Sequence, residues 1–207
     1  MIVLSLCDRT GVMVQPWAEA GYDCLCVDMQ HNGVSQVGRI TFVGADVREW
    51  LPPRTDYRIA FAFAPCTHIA NSGNKHKADK GLDALIEALP IVKDCRDILQ
   101  WTDAPWMLEN PVGSLSTYWR KPDHYFHPYD YTAFELGDHY TKKTCLWTGG
   151  GFVMPPRQPD PSLAGVEPDD RIHKAPPTPE RADIRSVTPK GFARAVFLAN
   201  EPQRLAA

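Results

Sequence analysis

The sequence predicts an α/β protein with a mainly parallel sheet that helices cover on both faces. Two observations support this: short apolar runs recur along the chain, and segments with the apolar spacing of helices separate them. Runs that are apolar at consecutive positions are typical of strands buried on both faces. Alternation of such strands with helices favours parallel pairing.

The expected elements follow from these patterns in chain order. The N-terminal part contains a strand, a short helix, a second strand and a weaker strand candidate, at Ile2–Leu6, Met13–Ala20, Cys24–Val27 and Ile40–Val43. Next come an apolar strand at Arg58–Ala64 and a long amphipathic helix at Lys80–Trp101. Pro90 is expected to kink this helix. Two further strands follow at Trp106–Leu108 and Thr144–Trp147. The last predicted element is a helix that begins at Pro189.

Proline content divides the chain into three parts. Nine of the 19 prolines lie between residues 155 and 189, so this region has a different composition from the rest. We predict a core over residues 1–149, a proline-rich extended segment over 150–184, and a C-terminal helix over 185–207 that completes the core.

Charge and cysteine content exclude several classes of protein. A net charge of −3 at pH 7 does not suit a protein that coats nucleic acid, so local clusters of Lys and Arg would have to hold any polynucleotide. The six cysteines form no Cys-x-x-Cys pair and the histidines are scattered, so we expect no disulfide framework, no metal and a cytoplasmic location. No stretch approaches the ~18 apolar residues of a membrane span, and the first residues indicate a strand and not a signal peptide. No membrane partner is expected.

The first strand–turn–helix unit carries residues typical of a cofactor site. Asp8 and Gly11 lie in the turn after the first strand, and Asp28 ends the second strand, where a carboxylate commonly binds ribose hydroxyls. The turn lacks the Gly-x-Gly-x-x-Gly pattern, so a nucleoside cofactor smaller than a dinucleotide is favoured. Asp46, after the next strand, is a further candidate contact with the base. An ordinary α/β turn without a ligand would have the same residues.

A cysteine and a glutamate follow two other apolar strands. Cys66 follows Arg58–Ala64 in Ala-Pro-Cys, and Glu109 follows Trp106–Leu108 in Leu-Glu-Asn-Pro-Val-Gly. Such a pair suits methylation of carbon-5 of a pyrimidine, because a thiolate can add at carbon-6 while an acid at the ring nitrogen stabilises the adduct. Each residue also has an ordinary interpretation, Cys66 as an inert buried thiol and Glu109 as a helix-capping carboxylate.

Six stretches in chain order resemble the motif series of the cytosine-5 DNA methyltransferases: LCDRTG, VD, APCTHIANSG, LENPVG, YTKKTCLW and RSVTPKGFARA. Longer stretches are similar to the short, often phage-encoded branch of that family, namely LENPVGSLSTYWRKPDHYFHPYDY, KKTCLW and RIHKAPPTPERADIRSVTP. The resemblance implies a Rossmann-like methyltransferase fold, S-adenosylmethionine as cofactor and DNA as substrate. It also implies the host cytoplasm as location if a phage encodes the chain.

The resemblance assigns chemical roles to three residues. Cys66 matches the nucleophile of the Pro-Cys motif, and Glu109 matches the glutamate of the Glu-Asn-Val motif. Lys143 takes the place of one arginine of the Gln-x-Arg-x-Arg motif, whose second arginine has no counterpart. Pro111 stands where the family has valine and stiffens the turn. Only the proline-rich segment occupies the place of the target-recognition domain of long members, so no separate recognition domain is expected.

Cofactor and substrate contacts complete the predicted site. The resemblance adds two cofactor residues, Pro65 of the Pro-Cys motif and Ser186 at the start of the last motif. The predicted cofactor residues are therefore Asp8, Gly11, Asp28, Asp46, Pro65 and Ser186. The predicted substrate residues are motif positions and basic residues of the two loops: Ser72, Lys75, Lys77, Asn110, Arg120 and Lys121. Because such cations can follow a phosphate backbone, we expect DNA of little sequence preference, single-stranded or locally opened.

Three other functions stay open at this point. A free cytosine nucleotide would suit an acidic chain without a recognition domain. A catalytically idle relative would bind nucleic acid or a host restriction factor. A cysteine hydrolase would pair Cys66 with His68 or His76, although no nucleophile elbow or oxyanion-hole motif accompanies them.

Overall fold

The computed structural model describes residues 1–71, 77–176, 178 and 181–201, without the side chains of residues 77–80, 182 and 183. The chain divides into two compact units. The first comprises Met1–Tyr125 and Thr144–Phe152, and the second comprises Phe126–Lys143 and Val153–Ala207. Among the described residues, no helix is both long and apolar enough to cross a membrane.

An eight-stranded mixed sheet is the main element of the described residues. Its strands are β1 Ile2–Leu6, β2 Asp23–Val27, β3 Val34–Val37, β4 Ile40–Val43, β5 Tyr57–Ala62, β6 Trp106–Pro111, β7 His124–Phe126 and β8 Thr144–Gly149. They lie in the order β3-β4-β2-β1-β5-β6-β8-β7, and β4, β2, β1, β5 and β6 are mutually parallel. β3 runs antiparallel to β4, and β8 runs antiparallel to β6. The predicted α/β class and mainly parallel sheet are confirmed.

Burial explains why the central strands form where the sequence predicted them. In β1 and β5, residues on both faces are inaccessible to solvent, among them Val3, Leu4, Ile59 and Ala60. Each Leu or Ile that is buried in this way contributes about 1.5–3 kcal/mol relative to an exposed side chain. A run of consecutive apolar residues is therefore stable only as a strand covered on both faces.

Two strands lie where the sequence predicted none, and both have weak patterns. β3 is exposed at all four of its residues, so it lacks the apolar run of a buried strand. β7 has only three residues, of which only Phe126 is buried. β8 lies antiparallel to β6, and composition does not reveal this direction because the strand is as apolar as its parallel neighbours.

The described helices are α1 Gln15–Glu19, α2 Lys77–Trp101, α3 Leu115–Tyr118, α4 Arg171–Lys174, α5 Arg181–Ser186 and α6 Lys190–Asn200. Inside α2 the backbone departs from helical angles at Gly81 (φ 63°, ψ −161°), and Pro90 lies within the helix. Glycine tolerates this left-handed region, which other residues avoid. α6 starts directly after Pro189, as expected.

Three aromatic rings pack together in the second unit. Phe126 and Phe192 stack with their centroids 3.8 Å apart, and Tyr131 lies 6.0 and 5.4 Å from them. At the first turn of α6, Gly191 N–H donates to the Asp138 carboxylate at 2.7 Å. A Cβ on Gly191 would lie 2.5 Å from the Tyr131 carbonyl oxygen, so only glycine allows this helix to pack so closely.

Asp138→Asn is expected to make the stability of the second unit less dependent on pH. Burial raises the pKa of Asp138 in the folded protein, although its hydrogen bond from Gly191 opposes the rise. A carboxyl group whose folded pKa exceeds its unfolded value favours folding when protonated, and this contribution is lost as pH rises from about 3.9 through the folded pKa. Wild type should therefore lose more unfolding free energy than the variant across this window, as measured by urea unfolding at a series of pH values.

Asp160→Asn is the matched control for this experiment. A hydrogen bond from the Ser162 side chain lowers the pKa of Asp160, which is half-buried, so its contribution has the opposite sign. The control should not reduce the loss of stability with rising pH. Identical pH profiles for wild type and Asp138→Asn would contradict the interpretation.

Candidate functional site

The order of the sheet strands reverses at β1, and this creates the candidate site. β1 pairs in parallel with β2 on one side and with β5 on the other. In open α/β sheets, such a switch point leaves a crevice at the carboxyl ends of the strands, where ligands bind. Because β4, β2, β1, β5 and β6 are parallel, the residues that follow them emerge at one edge of the sheet.

Asp8 organises the turn that follows β1. Its Oδ1 accepts hydrogen bonds from the N–H groups of Thr10 (3.0 Å) and Gly11 (2.8 Å), and its Oδ2 accepts one from Ser5 Oγ (2.7 Å). The side chain is almost fully buried. Gly11 has φ +67°, and a Cβ there would lie 3.1 Å from the Phe42 ring, so the turn requires glycine. Asp8 therefore shapes the backbone of the turn from within.

Asp28 and Asp46 follow β2 and β4 at the same edge, but their carboxylates differ. Asp28 accepts a hydrogen bond from Gln30 N–H at Oδ1 (2.8 Å), and no described residue donates to its Oδ2. Asp46 is engaged at both oxygens by the Arg48 guanidinium. This hydrogen bonding lowers the pKa of Asp46. Of the two, only Asp28 has an oxygen to which no described residue donates.

The loop after β5 carries Cys66 on a single backbone turn. The Cys66 carbonyl accepts hydrogen bonds from the N–H groups of Ile69 (3.1 Å) and Ala70 (2.9 Å). Pro65 is exposed and Cys66 is half-buried, whereas Ile69 is inaccessible to solvent. The loop is thus anchored in the core at Ile69 and leaves the cysteine partly accessible.

A buried amide links the start of this loop to β6. Asn110 Nδ2 donates to the Ala64 carbonyl at 2.7 Å, and the Asn110 side chain is only 1% exposed. Its Oδ1 has no hydrogen-bond partner among the described residues. Since Ala64 lies two residues before Cys66 and Asn110 follows Glu109, this bond brings the two predicted catalytic segments together.

The end of the loop is held by two backbone hydrogen bonds. Asn71 N–H donates to the Val112 carbonyl (2.9 Å), and Ser114 N–H donates to the Ile69 carbonyl (2.8 Å). The chains approach so closely here that a Cβ on Gly113 would lie 2.1 Å from the Ile69 oxygen. Glycine at this position is therefore a requirement of the close approach.

Glu109 lies within β6, one residue beyond the end of the ladder with β5. The last β5–β6 pair is Ala62 with Leu108, and Glu109 pairs with Leu146 of β8 on the other side. The residue is half-buried. A position inside a strand excludes the helix-capping interpretation of this carboxylate.

The predicted substrate cations have different environments. Arg120 Nη1 bonds Asp123 at 2.6 Å and Nη2 donates to the Thr148 carbonyl at 3.1 Å. Although burial acts in the opposite direction, this ion pair lowers the pKa of Asp123. Lys121 is exposed, and Lys77 is the first residue of α2. Arg120 therefore has a structural role within the first unit.

Four of the predicted site residues are not part of the arrangement described above. Ser72 and Lys75 lie outside the described residues. Lys143 and Ser186 are exposed residues of the second unit, and Ser186 is the last residue of α5.

One contact of the Cys66 loop was missed by the sequence analysis. His68 Nε2 lies 3.8 Å from a carboxylate oxygen of Glu87 in α2, and the buried His68 Nδ1 has no hydrogen-bond partner among the described residues. This contact links the loop to the helix that follows it. No local pattern predicts this pair, because its residues belong to different elements.

Among the described residues, no group of three or more His, Cys, Asp or Glu side chains is placed to hold a metal ion. No protein-family model matches the chain, and no curated protein matches it with significance. The arrangement itself consists of a half-buried thiol and a half-buried carboxylate on linked segments, with Asp28 after β2 at the same edge of the sheet. A thiol and a carboxyl group held in this way can act as nucleophile and acid.

Gly113→Ala is expected to destabilise the first unit by about 1–3 kcal/mol, the usual cost of overpacking. The added methyl group would displace the Ile69 carbonyl and break its hydrogen bond with Ser114. Urea unfolding gives the free energy, and faster amide exchange at Ser114 would report the broken bond. Gly137→Ala is the control, because its Cβ would meet only the flexible end of the Glu135 side chain, at 3.1 Å. Equal stability of both variants would contradict the role given to Gly113.

Proposed function

We propose that this protein transfers a methyl group from S-adenosylmethionine to carbon-5 of cytosine in DNA, through a covalent adduct with Cys66. The observation that supports the proposal is the hydrogen-bonded attachment of the Cys66 loop to the strand that carries Glu109. Asp8 and Asp28 lie at the same edge of the sheet. For the α/β sheet we infer the Rossmann-like methyltransferase class, with which its strand order is compatible.

The two linked residues suit the chemistry of cytosine, whose carbon-5 is a poor nucleophile. The Cys66 thiolate adds to carbon-6 and forms a C–S bond, while the ring electrons move to the nitrogen that Glu109 protonates. Carbon-5 becomes the nucleophilic carbon of an enamine, and S-adenosylmethionine supplies the methyl group that it takes. The ring nitrogen then returns its proton to Glu109, and water removes the carbon-5 proton as the Cys66 thiolate leaves, which restores the aromatic ring.

The residues at the ends of β1 and β2 fit this cofactor. The available Oδ2 of Asp28 can accept a hydrogen bond from a ribose hydroxyl. Asp8 has both oxygens occupied within its turn, so it would act by positioning Gly11. We assign no base contact to Asp46, because Arg48 occupies its carboxylate.

DNA is the substrate that the motif series favours, but one observation favours a free cytosine nucleotide as second candidate. Arg120, a predicted phosphate contact, is engaged by Asp123 and Thr148. A polynucleotide requires several phosphate contacts, and its binding therefore weakens steeply with salt. A nucleotide contacts the protein through a single phosphate, so its turnover should depend on salt far less.

Cys66→Ala should abolish methyl transfer without unfolding the protein, because the side chain is only half-buried. DNA that contains 5-fluorocytosine should trap the wild-type protein covalently, since fluorine blocks the elimination that frees Cys66. Mass spectrometry of the adduct is the measurement. Glu109→Gln should lower the transfer rate by roughly 10²–10⁴-fold, the range for loss of a general acid. Cys24→Ala is the control: burial raises the pKa of Cys24 to about 12, so it should not affect trapping.

Tritium transfer from labelled S-adenosylmethionine to duplex DNA, single-stranded DNA and dCMP, each at several salt concentrations, identifies the substrate. We expect transfer to DNA, with single strands preferred and a steep decrease with salt. Transfer to dCMP alone would establish the second candidate. Transfer to DNA without any fluorocytosine adduct would falsify the covalent mechanism.

Asp28→Ala should weaken the binding of S-adenosylhomocysteine by ~1–3 kcal/mol, the usual effect of losing a hydrogen bond to a charged group. Isothermal titration calorimetry measures the affinity. Asp23→Ala is the matched control, because Asp23 is an exposed aspartate of the same strand that pairs with Arg39 at 2.8 Å. Equal affinities for wild type and Asp28→Ala would remove Asp28 from the cofactor site.

A further inference from the structure

Two thiols from distant parts of the chain meet beside the turn after β1. Cys7 Sγ and Cys95 Sγ lie 3.7 Å apart, although 88 positions separate them in sequence. Cys7 directly follows β1, and Cys95 lies in α2. Both cysteines are free thiols. Neither has a role in the chemistry proposed for Cys66.

Cys7 has a backbone conformation that is rare for its residue type. Its φ is 54°, in the left-handed region that residues other than glycine seldom adopt. Strain of this kind is concentrated at functional sites. The Cys7 N–H donates to the Val27 carbonyl at 2.7 Å, which holds the residue in this conformation. The thiol contact with Cys95 is made in this strained state.

The two thiols differ in accessibility and reactivity. Cys7 is half-buried, whereas Cys95 is inaccessible to solvent, so Cys7 is the more accessible residue of the pair. The hydrogen bond with Cys7, together with burial, raises the pKa of Cys95. Cys95 therefore remains a thiol and is not the first group to be oxidised.

We propose that Cys7 and Cys95 form a redox-sensitive pair, which hydrogen peroxide converts to a reversible intramolecular disulfide. Peroxide oxidises the Cys7 thiol to a sulfenic acid and releases one water molecule. The Cys95 sulfur then attacks the Cys7 sulfur to form the S–S bond, and the sulfenic oxygen leaves as a second water molecule with the Cys95 proton. Two thiols are oxidised and one peroxide is reduced. A dithiol reverses the reaction and becomes a disulfide itself.

We expect formation of this disulfide to strain the turn after β1. The sulfur atoms must approach from 3.7 Å to about 2.05 Å, the length of an S–S bond. Cys7 precedes Asp8, whose carboxylate holds the N–H groups of Thr10 and Gly11. A displaced Cys7 weakens these hydrogen bonds. The pair thereby couples oxidation to the shape of a turn at the sheet edge, independently of whether the protein is a methyltransferase.

Peptide mapping tests whether the bond forms. The full chain carrying Cys66→Ser, which lacks the other half-buried thiol, is treated with hydrogen peroxide, alkylated and digested with trypsin without reductant. Cleavage after Arg9, Lys93 and Arg96 places the two cysteines on separate short peptides. We expect these two peptides to be joined, and dithiothreitol to separate them. The wild-type chain, treated in the same way, should give the same joined peptides.

Amide exchange measured by NMR tests the effect on the turn. Oxidation should accelerate exchange at Gly11 in the wild-type protein and leave it unchanged in Cys95→Ala, in which Cys7 has no partner thiol at this contact. Cys24→Ser, the control, should keep both the joined peptides and the faster exchange. Absence of joined peptides, with Cys7 oxidised to the sulfinic acid, would overturn the proposal. Joined peptides with unchanged exchange at Gly11 would overturn the coupling to the turn.

Discussion

The close contact between the chain after β5 and the chain after β6 is the constraint on which the candidate site depends. The Ala64 carbonyl is hydrogen-bonded to the Asn110 side chain, and the Ile69 carbonyl is hydrogen-bonded to Ser114 N–H. Without these bonds, buried polar groups would be left unsatisfied, at a cost of about 1–3 kcal/mol each. The loop between them therefore has one favoured path, and Cys66 lies on that path. Glycine at position 113 is what permits the approach.

Parallel pairing places other candidate residues at the same edge of the sheet as this contact. Because β2, β1, β5 and β6 run in the same direction, their carboxyl ends emerge at one edge, where the order of the strands reverses. Asp8, Asp28 and Cys66 thus lie at the same edge although long stretches of sequence separate them. A half-buried thiol, and an aspartate oxygen to which no described residue donates, are features of a ligand site more than of a packed core when they lie at such an edge.

Charged residues at this edge are divided between internal and external roles. At this edge Arg48 engages Asp46, whereas Arg120 engages Asp123 beside Thr148, which pairs with Met107 near the start of β6. Asp8 is buried and bonded within its own turn. Asp28 retains a carboxylate oxygen to which no described residue donates. The sequence predicts Asp8, Asp28 and Asp46 as cofactor contacts and Arg120 as a substrate contact, and only their hydrogen bonds distinguish their roles.

The sequence by itself determined the class of fold and most of the buried elements. β1, β4 and the strand before Cys66 were predicted because consecutive apolar residues are stable only when both faces of a strand are covered. The sequence also selected Cys66, Glu109 and Asp28 from their positions after strands. It could not predict β3, since an exposed edge strand has no apolar run.

Tertiary structure decided the features that depend on partners distant in sequence. The examples are the antiparallel direction of β8, the bond from Asn110 to Ala64, the bond from Arg120 to the Thr148 carbonyl and the contact of Cys7 with Cys95. No local pattern connects the residues that they join. Hydrophobic burial is encoded in the composition of each segment, so it can be predicted from the sequence. Hydrogen bonds and thiol contacts depend on how the segments come together in space, so only the folded chain reveals them.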